Sequence, residues 1–325
     1  MSSPLATVGI LSLGQMGLGI AKLLIAHNYQ VLTNVENRSA ATQDRAQEAH
    51  IGLVASDGEL VSKCDYILSI VPPRDAIATA TRVIEALDSA LEPRNGKGLL
   101  YYLDLNAISP STAKIIAESF NSSPVVFIDG GIIGGPPAPP RDSTSNEWTR
   151  PGIPLSGPDT LGSAPQNGAN LASTLNTKDV GPTIGSASGL KCCFAAISKG
   201  LIALALQSFS TASSLDVLPH LQSYLQLYNP RGGEAAEKGI TGCSQKAYRW
   251  IEEMNQIGEC FALDGGWSEQ ANVFGQIAGV YESLARVVEH RGGTEGMERL
   301  DGALEALEEG LRTRDVGDEK PKQDG

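Results

Sequence analysis

A glycine-containing turn near the start of the chain is the first feature that could do chemistry. It reads Ser12-Leu13-Gly14-Gln15-Met16-Gly17, the pattern Gly-x-Gly-x-x-Gly with serine in the first glycine position. An apolar run at 7–13 precedes it and helical spacing over 17–28 follows, which predicts a strand–turn–helix unit. Such a turn can cradle a pyrophosphate, because Gly14 lets the backbone approach, Gly17 allows close packing and the helix N-terminus supplies amide donors. The alternative is a purely structural tight turn.

The end of the second predicted strand bears on which dinucleotide such a turn would hold. It reads Glu36-Asn37-Arg38-Ser39. The guanidinium of Arg38 and the hydroxyl of Ser39 are suited to the 2′-phosphate of NADP. Glu36 could instead bind the ribose hydroxyls of NAD and would repel a phosphate, and Arg38 could be an ordinary surface arginine. The residues favour NADP (NADPH) over NAD.

Strand and helix patterns alternate over the first part of the chain and predict an α/β Rossmann-type N-terminal domain with a parallel sheet. The strand candidates are 7–13, 30–35, 66–71, 99–105 and 125–130. Residues 131–183 are rich in Gly, Pro, Ser and Asn, which predicts loop with short strands at 153–157 and 172–175. Within them, 136–170 is expected to be mobile, as a surface insertion or an active-site lid.

The pattern becomes helical near residue 186 and predicts an all-α C-terminal domain. Expected helices cover 186–216, 218–228, 244–263, 268–290 and 295–312. The last carries an apolar seam suited to packing on another helix, formed by Met297, Leu300, Leu304, Leu307 and Leu311. The predicted domains are therefore 1–183, which binds a dinucleotide, and 184–325, which serves substrate binding and dimerisation.

Composition excludes several classes of function. The chain has 325 residues, a hydrophobic content of 41% and a net charge of −12, with no Lys/Arg cluster, so we expect no nucleic-acid partner. Its five cysteines and four histidines are scattered and show no ligand spacing, so no metal site is expected. Gly, Ser and Lys interrupt the longest apolar stretches, and no basic segment precedes the first apolar run. We therefore expect no membrane span and no secretory signal, and a cytoplasmic location.

VGILSLGQMGLGIAKLL (8–24) resembles the opening of the β-hydroxyacid dehydrogenase and 6-phosphogluconate dehydrogenase-like superfamily, whose turn is typically GLGxMG. SIVPP (69–73) is similar to the strand end beneath the nicotinamide ribose, LDLNAISPSTA (103–113) to the substrate-binding turn, and FIDGGIIGG (127–135) to the second glycine segment. The last has Ile133 where the family usually has serine. The cofactor-binding residues that follow are Ser12, Leu13, Gly14, Gln15, Met16, Asn37, Arg38, Ser39, Val71, Pro72 and Asn106.

GSASGLKCCFAAISKG (185–200) resembles the interdomain-helix segment of the family and implies that Lys191 is the catalytic lysine. Partial desolvation and the positive end of the helix would lower its pKa and suit it to proton transfer, although a solvated lysine is the alternative reading. Ala195 stands where the family has asparagine, and Lys199 is the competing lysine, which we interpret as structural.

Residues 245–261 are similar to the helical domain of one subgroup of this superfamily, in which Trp250 would be a pocket wall or a core residue. The implied substrate-binding residues are Asn106, Ile133, Gly134, Gly135 and Trp250.

The resemblance implies an NADP(H)-dependent oxidoreductase that transfers a hydride between nicotinamide and a small hydroxy or keto, hydroxyacid-like substrate, with Lys191 as general acid/base. It also implies a homodimer in which the helical domain of one subunit helps to form the cleft of the other. Two alternatives remain open. One is an NADPH-dependent imine reductase on the same scaffold, and the other is a non-catalytic NADP-binding protein, given the missing serine and asparagine.

Overall fold

The structure is a computed structural model that describes residues 3–36, 39–89, 94, 97–140 and 147–317. The chain divides into two compact units, Met1–Cys192 and Cys193–Gly325. The division falls within one long helix, nine residues beyond the boundary that the sequence predicts at 183/184.

An eight-stranded sheet forms the centre of the first unit. Its strands are β1 (Thr7–Leu11), β2 (Gln30–Asn34), β3 (Gly52–Val54), β4 (Tyr66–Ser69), β5 (Leu100–Asp104), β6 (Val125–Gly130), β7 (Ile153–Ser156) and β8 (Thr177–Asp179). They lie in the order β3-β2-β1-β4-β5-β6-β7-β8. All neighbouring pairs are parallel except β6 and β7, which are antiparallel.

The described residues of the first unit also form the helices α1 (Gln15–Ala26), α2 (Ala40–Glu48), α3 (Asp57–Lys63), α4 (Ala76–Ser89), α5 (Pro110–Ser119) and α6 (Gly168–Leu175). The central strands are buried on both faces, since Tyr66 and Leu68 of β4 belong to one apolar cluster and Ile67 between them to another. This is why β4 is almost continuously apolar in sequence rather than alternating.

The topology reverses at β1, because β2 lies on one side of it and β4 on the other. In an open parallel sheet, such a reversal leaves a crevice beyond the carboxyl ends of the two central strands, and ligands bind there. The predicted α/β Rossmann-type fold, followed by helices, is confirmed.

The region between β6 and the second unit is more ordered than its composition predicts. Residues 172–175, predicted as a strand, belong to α6, whose Leu171 and Leu175 are buried. Four residues of mixed type are too few for their spacing to separate strand from helix.

The predicted mobile segment 136–170 is also anchored where it is described. Bridges join Ile133 to Gly152 and Ala138 to Thr149. Pro137 is buried and lies against Gly19 of α1, and the ring of Trp148 lies 6.4 Å from that of His27. These contacts show that prolines that cannot join a sheet can still cover a helix; the mobility of 136–170 stays a prediction.

The second unit is helical. α7 (Ser186–Ser214) begins in the first unit, and it is followed by α8 (Leu218–Tyr228), α9 (Pro230–Cys243), α10 (Ala247–Leu263), α11 (Phe274–His290) and α12 (Leu300–Gly317). The sequence did not predict α9, whose paired glycines have low helix propensity. The apolar seam at 297–311 does meet other helices, but they are α9 and α11 of the same unit, and three of its five residues are fully buried.

Within the part of the chain that the structure describes, α7 is also long and apolar enough to cross a membrane. The sequence analysis expected no such segment. Length and composition alone are weak evidence for a span, because the core helix of a soluble protein has the same properties.

Candidate dinucleotide and proton-transfer site

The turn between β1 and α1 has the geometry of a phosphate-binding turn. Ser12, in the first glycine position, has a φ of 79°, the left-handed conformation that glycine adopts without strain. A Cβ on Gly17 would overlap the carbonyl oxygen of Ser12, so helix and turn can approach this closely only with glycine there. A Cβ on Gly14, at the N-cap of α1, would meet no atom within 4 Å. A pyrophosphate could therefore lie against this backbone.

A cleft of about 250 Å³ opens beyond the ends of β1 and β2. Four of its lining residues were predicted from the sequence, namely Ser12, Leu13, Gly14 and Val71; the others are Leu11, Thr33, Asn34, Val35, Thr42, Arg45 and Arg82. Gln15 and Met16 lie in the first turn of α1, and Pro72 caps a single 3-10 turn. The residues present fit a dinucleotide, because the cleft has an open phosphate turn at one end and cationic side chains along its wall.

Two arginines in this cleft were missed by sequence reasoning. Arg45 lies along α2, where Nη2 donates to Thr42 Oγ1 at 3.1 Å and Nε to Ala41 O at 2.9 Å. Arg82 is held by Asp57 Oδ2, at 2.8 Å from Nη2 and 3.1 Å from Nε. Arg45 could have been found from the sequence, because it lies about two helical turns after Ser39 on an exposed helix. Arg82 lies 25 residues from its partner, and only the fold reveals that pair.

The residues expected to choose the cofactor are only partly described. Asn37 and Arg38 lie outside the described residues. Ser39 caps α2, and its hydroxyl is 3.0 Å from Thr42 Oγ1. Glu36 is exposed, and its backbone N–H donates to Asn34 Oδ1 at 2.9 Å. The structure therefore places Ser39 and Glu36 next to the turn between β2 and α2, and the role of Arg38 stays a prediction.

A row of four buried polar residues crosses the sheet near the carboxyl ends of β4 to β7. Ser69, Asp104, Asp129 and Ser156 are neighbours in register on adjacent strands, and each is at most 2% exposed. Buried polar groups of this kind need partners, since leaving one unsatisfied costs about 1–3 kcal/mol. Their partners determine what this edge of the sheet can hold.

Asn106 acts as a clamp between the ends of β4 and β5. Its Oδ1 accepts from Val71 N at 2.7 Å, its Nδ2 donates to Ser69 Oγ at 3.0 Å, and its N–H donates to Asp104 Oδ1 at 3.0 Å. It therefore fixes the backbone of Val71, a wall of the cleft. Direct contact of Asn106 with cofactor or substrate stays a prediction.

Asp104 is fully buried, and its Oδ2 has no hydrogen-bond partner among the described residues. Burial raises the pKa of this carboxyl to about 7; the nearby Asp129 acts in the same direction, while the N–H of Asn106 opposes it. At neutral pH, Asp104 is therefore close to its midpoint of ionisation.

Asp104→Asn should flatten the pH dependence of stability. Between about pH 4, where an unfolded aspartate titrates, and about pH 7, the folded protein retains a proton that the unfolded chain has released. The free energy of unfolding should therefore fall as pH rises through this window, by at most about 1.4 kcal/mol per pH unit. Urea unfolding of the wild type and the variant at pH 5, 6 and 7 measures it. Asp179→Asn, at an exposed site on β8, is the control, and equal slopes for all three proteins would contradict the assignment.

Lys191 lies in the second turn of α7, against the glycine segment that follows β6. Its Nζ donates to Ile132 O at 2.6 Å. A Cβ on Gly131 would come within 2.9 Å of the Cβ of Lys191, so this glycine makes room for the lysine stem. Burial lowers the pKa of Lys191, and Cys192 opposes the shift weakly. A half-buried amine with a lowered pKa gives up its proton more readily than a solvated lysine, which suits it to proton transfer.

The remaining predicted substrate residues lie in two places. Gly134 and Gly135 are exposed, and Gly134 has a φ of 119° beside Pro151. Ile133, which precedes them, is half-buried and paired with Gly152. These residues follow Lys191's contacts along the chain and remain candidates for substrate contact.

Trp250 belongs to the second unit, where its ring lies edge-on to Tyr281 at 5.1 Å and 5.2 Å from Lys199 Nζ. Lys199 also forms an ion pair with Glu253. This supports the interpretation of Lys199 as structural and shows Trp250 in a packed cluster. Among the described residues, no group of three His, Cys, Asp or Glu side chains is arranged to hold a metal ion.

Two parts of the chain match the models of known protein families. Residues 7–139 match the model of the NAD binding domain of 6-phosphogluconate dehydrogenase, and residues 212–284 match a domain of unknown function, DUF1932. Most of the first unit is therefore similar to the NAD binding domain of 6-phosphogluconate dehydrogenase. The resemblance inferred from the turn and the later glycine segments is confirmed.

Human mitochondrial 3-hydroxyisobutyrate dehydrogenase is 29% identical over 130 residues, which is 39% of this chain and 36% of that enzyme. The chain thus matches about a third of the length of this curated relative. The 3-hydroxyisobutyrate dehydrogenase of Mycobacterium tuberculosis, solved with L-serine, has a TM-score of 0.62 at 13% identity and is covered over 99% of its length by 93% of this chain.

An imine reductase from Myxococcus stipitatus, solved with NADP+, has a TM-score of 0.51 at 17% identity, covering 92% of this chain and 98% of that one. At these identities the structural likenesses show the fold alone. Both kinds of enzyme carry out reduction or dehydrogenation on it.

Proposed function

We propose that this protein is an NADP(H)-dependent oxidoreductase that interconverts a small hydroxy acid and its keto form, with Lys191 as general acid/base. The observation that carries the proposal is the placement of Lys191. A half-buried ammonium with a lowered pKa is hydrogen-bonded to the segment that follows β6, in the same unit as an NAD(P)-binding cleft.

Different residues of the chain would bind the cofactor and transfer the proton. The cofactor, when bound, supplies or takes up the hydride. The turn at Gly14 and the N-terminus of α1 would hold its pyrophosphate, and Val71 would flank it. Lys191 would donate a proton to the carbonyl oxygen on reduction and accept it from the hydroxyl on oxidation. Ile132 O occupies one of the three ammonium N–H groups, which leaves two for a substrate oxygen.

Lys191→Ala should lower kcat by about 10²- to 10⁴-fold, the usual contribution of a positioned proton donor, with NADPH affinity almost unchanged. Lys191→Arg should not restore the rate, because a guanidinium stays protonated at neutral pH. Steady-state kinetics on a panel of 3-hydroxy and 3-keto acids, with fluorescence titration of NADPH, measures both quantities.

Lys178→Ala, at an exposed lysine of the same unit, is the matched control and should retain full activity. Full turnover by Lys191→Ala would remove this residue from the mechanism.

The preference for NADP rests on the cationic wall of the cleft. Arg45 and Arg82 both line it, and Asp57 orients the guanidinium of Arg82. Arg38, predicted from the sequence, would add a third cation next to Ser39. These groups outnumber Glu36, the one acid that the sequence offers at the end of β2 for the ribose hydroxyls of NAD.

Arg38→Ala and Arg45→Ala should each weaken NADPH binding by about 1–3 kcal/mol, the range for hydrogen bonds to charged groups, and leave NADH binding almost unchanged. Titration calorimetry with both dinucleotides measures the difference. Arg150→Ala is the control, because this exposed arginine bonds only backbone carbonyls in the contacts seen, Ser173 O among them at 2.8 Å. Equal losses for the two dinucleotides would exclude both arginines from the 2′-phosphate site.

Imine reduction is the second candidate. It is supported by the shared fold with an imine reductase solved with NADP+. Lys191 argues against it, because imine reductases usually have another residue at this position, and the missing serine and asparagine at Ile133 and Ala195 fit a non-catalytic protein instead. The same substrate panel, extended with cyclic imines, distinguishes the two activities. NADPH binding without turnover of either class would favour a non-catalytic NADP-binding protein.

The apolar face of α7 supports a homodimer. Leu190, Phe194, Ile197, Leu201 and Leu204 recur at three- and four-residue spacing and are each between 44% and 69% exposed. Such a stripe is the seam of a helix that packs on another helix, and the seam at 297–311 is already covered within its own unit. We therefore assign a second copy of the chain, rather than a bilayer, to the α7 stripe.

Light scattering at micromolar concentration should give about twice the chain mass of 34.1 kDa. Ile197→Glu combined with Leu201→Glu should give the monomer, because two buried charges would face each other across the symmetric contact. Ile77→Glu, at an exposed position on α4, is the control. A wild-type monomer, or wild type that sediments with lipid vesicles, would contradict the assignment.

A further inference from the structure

The carboxylate of Asp129, at the end of β6, caps the first turn of α7. Its Oδ2 accepts from the backbone N–H groups of Gly185, Ala187 and Ser188 at 2.9, 3.1 and 3.2 Å, and from Ser156 Oγ at 2.7 Å. Its Oδ1 accepts from Ser188 Oγ at 2.5 Å. A backbone N–H can only donate, so Oδ2 carries no proton. Burial raises the pKa of this carboxyl, while the hydrogen bonds from Ser188, Ser156 and Gly185 oppose that shift.

These bonds satisfy groups that would otherwise be orphaned. The first turn of a helix has N–H groups without intrahelical partners and carries a partial positive charge, which a carboxylate stabilises. Here the capping side chain comes from a strand 56 residues earlier rather than from the residue preceding the helix. The cap therefore ties the helix to the sheet as well as closing its end.

Residues 129–132 contact α7 at a second place. Three residues after Asp129, the carbonyl of Ile132 accepts from Lys191 Nζ at 2.6 Å, and Gly131 lies against the lysine stem. Lys191 follows Ser188 by three residues, so it lies almost directly above the capped turn. Residues 129–132 thus fix both the backbone that carries Lys191 and the atom that would move the proton.

We propose that Asp129 is the positioning residue for Lys191. In this role Asp129 does not itself contact the cofactor or the substrate. It determines the position of Lys191 by fixing the start of α7 against the end of β6. The proposal rests on the proposed function for its effect on catalysis, and on the described contacts alone for its effect on the lysine. Loss of the cap should leave the cleft at Gly14 intact, because the cap lies on β6 and β7, on the far side of β4 and β5 from β1.

The kinetic test is a double-mutant cycle in the full chain. Asp129→Asn should lower kcat by about 10- to 100-fold, since a displacement of about 1 Å of a reacting group costs that order, with the KM for NADPH unchanged. In a Lys191→Ala background it should cause no further loss, because there is no longer a lysine to place. Ser188→Ala keeps the carboxylate and removes one hydrogen bond, so it should give a several-fold loss that also vanishes in that background.

Ser198→Ala is the matched control for the serine variant. Ser198 lies on the same helix and donates only to carbonyls of its own preceding turn in the contacts seen, Phe194 O and Ala195 O. Equal effects of Asp129→Asn with and without Lys191, or a loss expressed in the KM for NADPH, would overturn the proposal. Ser188→Ala covers the case in which Asp129→Asn does not fold.

A second readout does not depend on activity. Acylation of Lys191 by an amine-reactive reagent at fixed pH, followed by mass spectrometry, reports how firmly the amine is held; Lys178 provides the internal reference. Labelling of Lys191 should increase several-fold in Asp129→Asn and Ser188→Ala and stay unchanged in Ser198→Ala. Unchanged labelling in both cap variants would refute the positioning role, whereas increased labelling in a protein without dehydrogenase activity would refute only the proposed function.

Discussion

The buried side chain of Asp129 joins the end of β6 to the start of α7. Asp129 accepts hydrogen bonds from the backbone N–H groups at the start of α7, which have no partner within the helix. The same helix carries Lys191. The buried carboxyl accepts hydrogen bonds from Gly185, Ala187, Ser188 and Ser156. Leaving a buried polar group without its partner typically costs about 1–3 kcal/mol. The interaction is therefore both a structural constraint and a means of placing a side chain, because it ties the start of α7 to the end of β6.

In the row of buried polar residues across β4 to β7, side chains also fix the backbone beside the dinucleotide cleft. Asn106 holds the backbone at Val71, which lines the dinucleotide cleft, and Asp129 holds the helix of Lys191. Both residues stand at carboxyl ends of neighbouring parallel strands, where side chains from different segments converge. The polar residues at one edge of the sheet can thus position both Val71, which lines the cleft, and Lys191, the proposed proton donor, relative to the same sheet.

The sequence predicted those features that local patterns encode. Central strands buried on both faces, the turn at 12–17 and the long helix from 186 all have signatures in residue type and spacing. It could not predict features that depend on distant partners: the pairing of Arg82 with Asp57, the cap from Asp129, or the burial of the 297–311 seam within its own unit. The contacts of Pro137 with Gly19 and of Trp148 with His27 were missed because the composition of this stretch resembles loop and the partners are distant in sequence.

The central claim concerns geometry around Lys191 and is tested most directly by a crystal structure of the full chain grown with NADP+ and a hydroxy acid. The account predicts the pyrophosphate against the backbone of Gly14, and Lys191 Nζ within hydrogen-bonding distance, about 2.6–3.2 Å, of the substrate hydroxyl, with Asp129 still capping α7. A dinucleotide bound away from Gly14, or a lysine that does not reach the substrate while the cap is intact, would contradict it.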